Sequence, residues 1–433
     1  MNEIAKEMND SLAKQSPLFS YMLSDFGKEI YMPKGIIVQA AEAKQLAKKY
    51  NATIGIAKEG TEPMNISSLK GFFNNLKTGE IFDYAPNLGN QDLRTKWKKK
   101  IVEENKLLKG DAQISTPVVT SGLTHGIMIV GDLFVNPGDE LIIPDKLWEN
   151  YNLMFEVRYG GKVVNYSLFN ENLTGFDTKA LDTVLKNSKK EKIILLFNFP
   201  NNPTGYTPTK KEVDEIVSIV TKYADAGKKI LVVCDDAYYG LLYEKDLLEG
   251  SIFSRFAGIH KNIAAVKIDG VSKEDYSWGL RVGFITFADA NQSADAYKIL
   301  EQKAGACIRS SISNCSQPAQ SIFANILGNS EYTEEKKKKY AILEKRAVKV
   351  KEIVYDKKYE DCWDVYPFNS GYFMCLKLKG VVAEELRVYA LKQYGVGTIV
   401  LGDDLRVAFS SVEFEQLEDL YDILAKCVRE LRK

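Results

Sequence analysis

The sequence predicts a doubly wound α/β protein with a smaller α+β unit, and three observations predict it. Short Val/Ile/Leu-rich runs without polar alternation recur along the chain, the pattern of strands covered on both faces. Helical stretches separate these runs, as in successive βαβ units. Segments rich in Gly, Asn, Asp and Lys follow several runs directly, where open α/β sheets place their ligand-binding loops.

In chain order, residues 1 to about 35 predict a helical lead-in, and Val38–Tyr50 follows a helical period. Ala52–Ala57 is a short extended piece, after which Gly60 and Pro63 turn the chain into a loop. The strand candidates are Pro117–Ser121, Glu140–Ile143, Lys162–Tyr166, Lys192–Phe197, Lys229–Cys234, Ile263–Ile268 and Val282–Thr286. Lys210–Ala226 is one of the helices between them. A lysine-rich helix begins near Glu331 and runs out of the large domain, its charge run read as a solvated face. Cys362–Leu378, Gly397–Val400 and Leu405–Phe409 then read as strands of the smaller unit, closed by a helix over Glu413–Arg432. The chain therefore divides into a large domain over 66–330 and a small one built from 1–65 and 331–433. No internal repeat or low-complexity linker interrupts it.

Charge is balanced, with 58 Lys plus Arg against 58 Asp plus Glu in 433 residues. That balance argues against a nucleic-acid surface. The polar, amphipathic start MNEIAKEMNDSLAKQ lacks the apolar stretch of a signal peptide, and no apolar run is long enough to span a bilayer. A cytoplasmic location is expected. The six cysteines form no CxxC pair and read as reduced thiols. With only His125 and His260 present, a histidine-built metal site or a Ser-His-Asp triad is nearly excluded, and no metal is expected.

Chemistry concentrates at strand ends. Lys273 follows a buried run, and Arg281 lies eight residues on between small residues. A lysine so placed can condense with an aldehyde, while the arginine can clamp a phosphate through two donors; equally, Lys273 could be one more solvated lysine. Asn202 sits in the rigid turn Asn202-Pro203-Thr204-Gly205 and could donate to an aromatic ring oxygen. Asp235, at the end of another buried run, is costly unless paired. A protonated pyridine nitrogen would suit it, as would a plain helix-capping role. Tyr238 could reach the same ring from its oxygen side. Leu123 and Thr124 follow a Gly-containing turn into a helix, an anion site or a simple cap. Trp148 offers a flat face to an aromatic ring or to the core.

Together these elements resemble the aminotransferase class I/II family, the fold-type I pyridoxal-phosphate enzymes, from about Ile54 to Phe409. Asn202-Pro203-Thr204-Gly205, Asp235-x-Ala237-Tyr238 and Lys273…Arg281-x-Gly283 carry the resemblance in the family's order. It implies that Lys273 forms the Schiff base with pyridoxal 5'-phosphate and shuttles the substrate proton. Asp235 would keep the pyridine nitrogen protonated, with Asn202 and Tyr238 on the ring oxygen and Trp148 stacked on the ring. Leu123, through its backbone, with Thr124 and Arg281, would hold the phosphate. Tyr84 looks like the tyrosine that reaches a neighbouring subunit's phosphate, which implies a homodimer with shared sites. Arg406 would clamp the α-carboxylate of an amino-acid or 2-oxo-acid substrate.

Two positions depart from the family pattern. Gly270 stands where many relatives have a phosphate-binding serine, and Ser272 is a candidate to compensate. Ala57 stands where aspartate aminotransferases have a glycine close to the substrate carboxylate. Arg309 falls in a segment resembling the one that supplies an arginine for a distal carboxylate, or it is an interface arginine; dicarboxylic and aromatic substrates both remain open. The expected activity is amino transfer through two half-reactions. The alternatives are a lyase or decarboxylase using the same cofactor, and a non-catalytic effector-binding protein.

Overall fold

Two β-sheets carry the fold of the computed structural model, which describes residues 1–31 and 35–432. Within the lead-in and small-domain expectations, 32–34 and 433 lie outside the described residues. The seven strands of the large sheet are β1 (Val118–Thr120), β2 (Glu140–Pro144), β3 (Lys162–Tyr166), β4 (Lys192–Asn198), β5 (Lys229–Asp235), β6 (Ile263–Gly270) and β7 (Gly283–Asp289), in spatial order β1-β7-β6-β5-β4-β2-β3. β7 runs antiparallel to both neighbours and the remaining pairs are parallel. Each of the seven runs read from the sequence is a strand, displaced by three residues or fewer at its ends. The apolar runs explain why: Ile193 to Phe197 and Ile230 to Cys234 are buried on both faces, which no alternating pattern would permit.

Register brings the chemistry to one edge. Asn198 pairs with Asp235, Gly270 with Gly283, and Gly283 with Thr120. The carboxyl ends of β1, β4, β5 and β6 therefore open onto the same crevice.

The helices that matter for the site are α1 (Glu3–Gln15), α2 (Ile36–Leu46), α3 (Gln91–Glu104), α4 (Leu123–Phe134), α5 (Lys210–Asp225), α6 (Ala294–Ser311), α7 (Ser330–Val354) and α8 (Leu417–Leu431). α5 begins with a reciprocal Thr209–Glu212 capping box, which fixes its start where the sequence places it. α7 buries Leu343, Ala347, Val350 and Val354, one stripe at helical spacing. Its charge run is not wholly solvated, a correction to the sequence reading: Lys336 reaches Glu274 and Asp275, and Lys339 pairs with Glu59.

The second sheet has order β8-β9-β11-β10, from β8 (Trp363–Val365), β9 (Met374–Leu378), β10 (Ile399–Leu401) and β11 (Asp404–Val407). Cys362–Leu378 is thus two strands with a loop between them, not one. The extended piece expected at Ala52–Ala57 is displaced to Tyr50–Asn51, which pairs in parallel with Val396–Gly397 and ties the N-terminal segment to this unit. α8 covers the sheet with Leu417, Leu420, Tyr421, Leu424 and Val428. Among the described residues no helix is long and apolar enough to cross a membrane.

Candidate active site

A cavity of about 420 Å³ opens where the large sheet's carboxyl edge meets β11 and α2. Lys273, Asp235, Tyr238, Asn202, Trp148, Leu123, Thr124 and Arg406 all line it, although they come from segments as far as 283 residues apart. Sequence reasoning named these eight together, and the fold converges them.

Asp235 ends β5 with its side chain 3% exposed. Its Oδ2 accepts from the Tyr151 hydroxyl at 2.5 Å and its Oδ1 from the Ala237 N–H at 3.1 Å. Burial pushes this carboxyl above its ordinary value, while the Tyr151 hydrogen bond, the Lys273 charge and the Ala237 N–H pull it back. Tyr151 is the residue sequence reasoning missed: it lies three positions after Trp148, and nothing in one dimension signals its reach to Asp235.

Lys273 follows β6 in a single helical turn, Val271–Glu274, and its carbonyl accepts from the Tyr372 hydroxyl at 3.0 Å. Its ammonium lies 5.3 Å from the centre of the Tyr238 ring. Burial lowers the Lys273 amine from its ordinary value, the Asp235 charge opposes that, and Arg281 adds to the lowering. The amine is thereby moved toward the neutral, nucleophilic form.

At the other end of the cavity α4 starts without a side-chain cap at Gly122, so its first N–H groups are unsatisfied within the helix. Gly122 has φ +76, and a Cβ there would run into the Arg281 guanidinium. Arg281, itself at φ 53, stays exposed over this turn. The Ser272 hydroxyl is buried with no hydrogen-bond partner. The first N–H groups of α4 and the Arg281 guanidinium, whose Nη1 donates to the Trp278 carbonyl at 3.1 Å, meet at this turn and suit a phosphate, whereas Ser272 does not line the cavity. Gly270 belongs to this packing: a Cβ there would sit 2.6 Å from the Val282 carbonyl and 2.7 Å from Gly283 Cα, so a serine has no room.

Arg406, in β11, is 3% exposed; it donates to Asn202 Oδ1 at 3.1 Å and to the Thr53 carbonyl at 3.0 Å, and lies over the Phe373 ring at 4.2 Å. A buried, prepositioned guanidinium is a carboxylate clamp. The Trp278 indole N–H, also on the cavity, has no partner among the described residues.

Three expected residues are not brought in. Ala57 is fully buried and its carbonyl accepts from Met64, while Gly55 takes the place on the cavity wall; the irregular segment here shifts the register by two. Tyr84 is 88% exposed, and Arg309 is exposed on α6 with Nη1 donating to Ser313. Within one protomer neither reaches the cavity.

A mainly parallel sheet with a lysine, a buried aspartate and a phosphate cradle at one edge defines an α/β enzyme built around a phosphorylated aromatic cofactor. A model of the aminotransferase class I and II family matches residues 40–424, and the chain belongs to that family. Enzymes of this family use pyridoxal phosphate. The chain is 28% identical over 211 residues to the aspartate aminotransferase of Musicola paradisiaca, 47% of each chain. It is 25% identical over 285 residues to that of Sulfolobus acidocaldarius, 65% of each. The matches span about half the length of most of these curated relatives. Among solved structures, an aminotransferase from Anaerococcus prevotii superposes with TM-score 0.81 at 22% identity, covering 92% of this chain and 96% of that one. An alanine aminotransferase from Pyrococcus furiosus gives 0.74 at 21% identity, covering 91% and 97%. These structures share the fold.

Proposed function

We infer that the chain is a pyridoxal-phosphate-dependent aminotransferase that moves an α-amino group between an amino acid and a 2-oxo acid. The convergence of Lys273, Asp235 and Arg406 in one cavity supports this reading above any other observation. Bound pyridoxal phosphate supplies an aldehyde and a ring that delocalises the electrons left when the substrate Cα–H bond breaks. Asp235 faces the cavity as a buried carboxylate suited to a protonated ring nitrogen, and Tyr151 holds it in place. Asn202 and Tyr238 would hold the ring oxygen, Trp148 would stack on the ring, and Leu123, Thr124, Ser272 and Arg281 would hold the phosphate.

Arg406 binds the substrate α-carboxylate and so presents Cα toward Lys273. Lys273 Nζ, whose amine burial lowers from its ordinary value, would take the Cα proton and return it on the cofactor side. The apolar wall from Ile36, Ala40 and Ile54 excludes water and, within one protomer, suits an apolar or aromatic side chain. A dicarboxylate would need a further cation, for which Arg309 of a second protomer is the candidate.

That requirement fits a homodimer. Tyr84 and Arg309 sit on adjoining segments, clasped by Asn314 Nδ2 to the Ala85 carbonyl at 2.7 Å and Asn87 Nδ2 to the Ser313 carbonyl at 3.0 Å. They are exposed together and are placed to serve a neighbour's cavity. The large domain at 66–330 and the small one at 1–65 with 331–433 follow the two sheets, and Arg406 enters the site from the small one.

The test is the visible spectrum of the purified protein with pyridoxal phosphate. Yellow absorbance that bleaches with an amino acid and returns with a 2-oxo acid is expected, and the fastest-bleaching amino acid ranks substrates. Release of carbon dioxide or pyruvate without reversible bleaching would replace amino transfer by a lyase or decarboxylase reaction. A protein that stays colourless would remove Lys273 from the chemistry.

A further inference from the structure

Behind the active cavity lies a second one of about 340 Å³, and the two share a pair of loops. Along 235–240 and 273–276 neighbouring residues face opposite ways. Ala237, Tyr238 and Lys273 line the active cavity, whereas Tyr239, Gly240, Glu274 and Tyr276 line the second. α3 and α7 close it through Glu104, Lys336 and Tyr340, over an apolar floor that includes Phe199, Leu241 and Leu248.

Some polar groups of this cavity have no partner among the described residues. Glu274 is 4% exposed; its Oε1 accepts from Lys100 at 2.5 Å and Lys336 at 2.8 Å, while its Oε2 has no partner. Tyr239 and Tyr276 are 8% and 4% exposed, and among the described residues neither hydroxyl has a hydrogen-bond partner. Among the described residues Glu104 and Glu274 pair with Lys100 and Lys336 here, and Lys336 is shared with Asp275, which lies behind the wall and also accepts from the Tyr332 hydroxyl. Burial raises the Glu104 carboxyl above its ordinary value against the pull of Lys100, and the Glu274 charge adds to the rise, whereas Lys100 and Lys336 hold the Glu274 carboxyl low, at about 2. At the rim, Glu103 and Lys106 cancel, each paired to an outer residue. An anion is therefore disfavoured, because both inner lysines are already committed. The rings of Tyr276 and Tyr340 add electron-rich faces that attract a cation, while the Tyr239 ring already carries Lys267 at 4.7 Å and Lys100 at 5.4 Å.

We propose that this second cavity binds a protonated amine carried on an apolar or aromatic body, with the ammonium between Glu274 Oε2 and the hydroxyls of Tyr239 and Tyr276 and the body against Phe199 and Leu248. The site needs neither pyridoxal phosphate nor an amino-acid substrate, so it stands apart from the proposed reaction. Its wall is the reverse face of the Lys273 loop.

The probe is N,N-dimethylbenzylamine, a tertiary amine that is protonated at neutral pH and cannot condense with an aldehyde. Calorimetric titration of the holoprotein is expected to read one site per chain. Benzyl alcohol, similar in shape but uncharged, binds about tenfold more weakly or worse. Tyr239→Phe and Tyr276→Phe keep the rings, remove the hydroxyls, and each weaken the probe by roughly three- to tenfold. Leu248→Trp fills the floor and abolishes binding, while saturating succinate in the active cavity leaves the affinity unchanged. Absence of binding at millimolar probe, equal affinity for the alcohol, displacement by succinate, or unaltered affinity in Tyr239→Phe and Tyr276→Phe overturns the proposal.

Discussion

Tyr151→Phe isolates the contact that holds Asp235. It deletes one hydroxyl, keeps the ring edge-on to Trp148, and removes a 2.5 Å hydrogen bond from a carboxylate that is 3% exposed. A hydrogen bond to a charged group contributes about 1.5–3 kcal/mol. At 1.4 kcal/mol per decade, loss of that bond lowers kcat/KM about 10- to 100-fold if Asp235 must be ionised. The sign is set by linkage. Burial already raises the Asp235 carboxyl, and Tyr151 is one of the groups that lower it again. Removing the donor raises it further, so the acid limb of the pH–rate profile moves to higher pH and activity partly recovers on alkalinisation. Folding of the cofactor-free protein responds in the same direction. A carboxyl raised in the folded state loses stability as pH rises through its folded value. The variant should therefore match wild type in urea at low pH, where Asp235 is protonated in both states, and fall below it near neutrality. A Tyr151→Phe enzyme with wild-type rate and an unshifted acid limb would refute the assignment of Tyr151 as the group that positions Asp235.

Arg406→Lys removes the forked geometry, including the bonds to Asn202 and the Thr53 carbonyl, and should raise the KM for amino acids about 10- to 100-fold with a smaller change in kcat, read in steady-state assays. Gly270→Ser places a Cβ 2.6 Å from the Val282 carbonyl and should destabilise the protein by about 1–3 kcal/mol in urea, without gaining phosphate affinity. Lys336→Met leaves buried Glu274 and Asp275 short of a cation and should cost about 3–5 kcal/mol, with much of the loss recovered at low pH where the carboxyls protonate. Arg309→Ala should selectively slow dicarboxylic amino acids, and mixing it with an Arg406→Ala chain should restore about a quarter of the sites if Arg309 acts across a homodimer.

How far the site was legible in the sequence depends on whether its residues are tied to regular elements. Asp235 and Asn202 could be placed because each follows a run of buried β-branched and aliphatic residues, and in parallel sheets that end of a strand is where ligands bind. The register then does the rest: Asn198 opposite Asp235 and Gly270 opposite Gly283 follow from the strand order, which apolar runs with short loops nearly determine. Ala57 failed because it lies in an irregular segment, where no periodicity ties residue number to direction and a shift of two exchanges Ala57 for Gly55. Tyr151 and Lys336 failed for a different reason. Each acts on a group 84 or 61 to 62 residues away, through side-chain reach across a loop or between helices, and that reach leaves no mark on hydrophobic period or turn composition. Tyr84 and Arg309 define a third limit, since both are exposed in one protomer, where a residue proposed to serve another copy of the chain is indistinguishable from an ordinary exposed side chain. The same logic makes the carboxylate excess behind Lys273 informative. Glu274 and Asp275 carry no mark of burial in the sequence, and only the fold reveals that both are buried with one oxygen of each carboxylate unpartnered among the described residues.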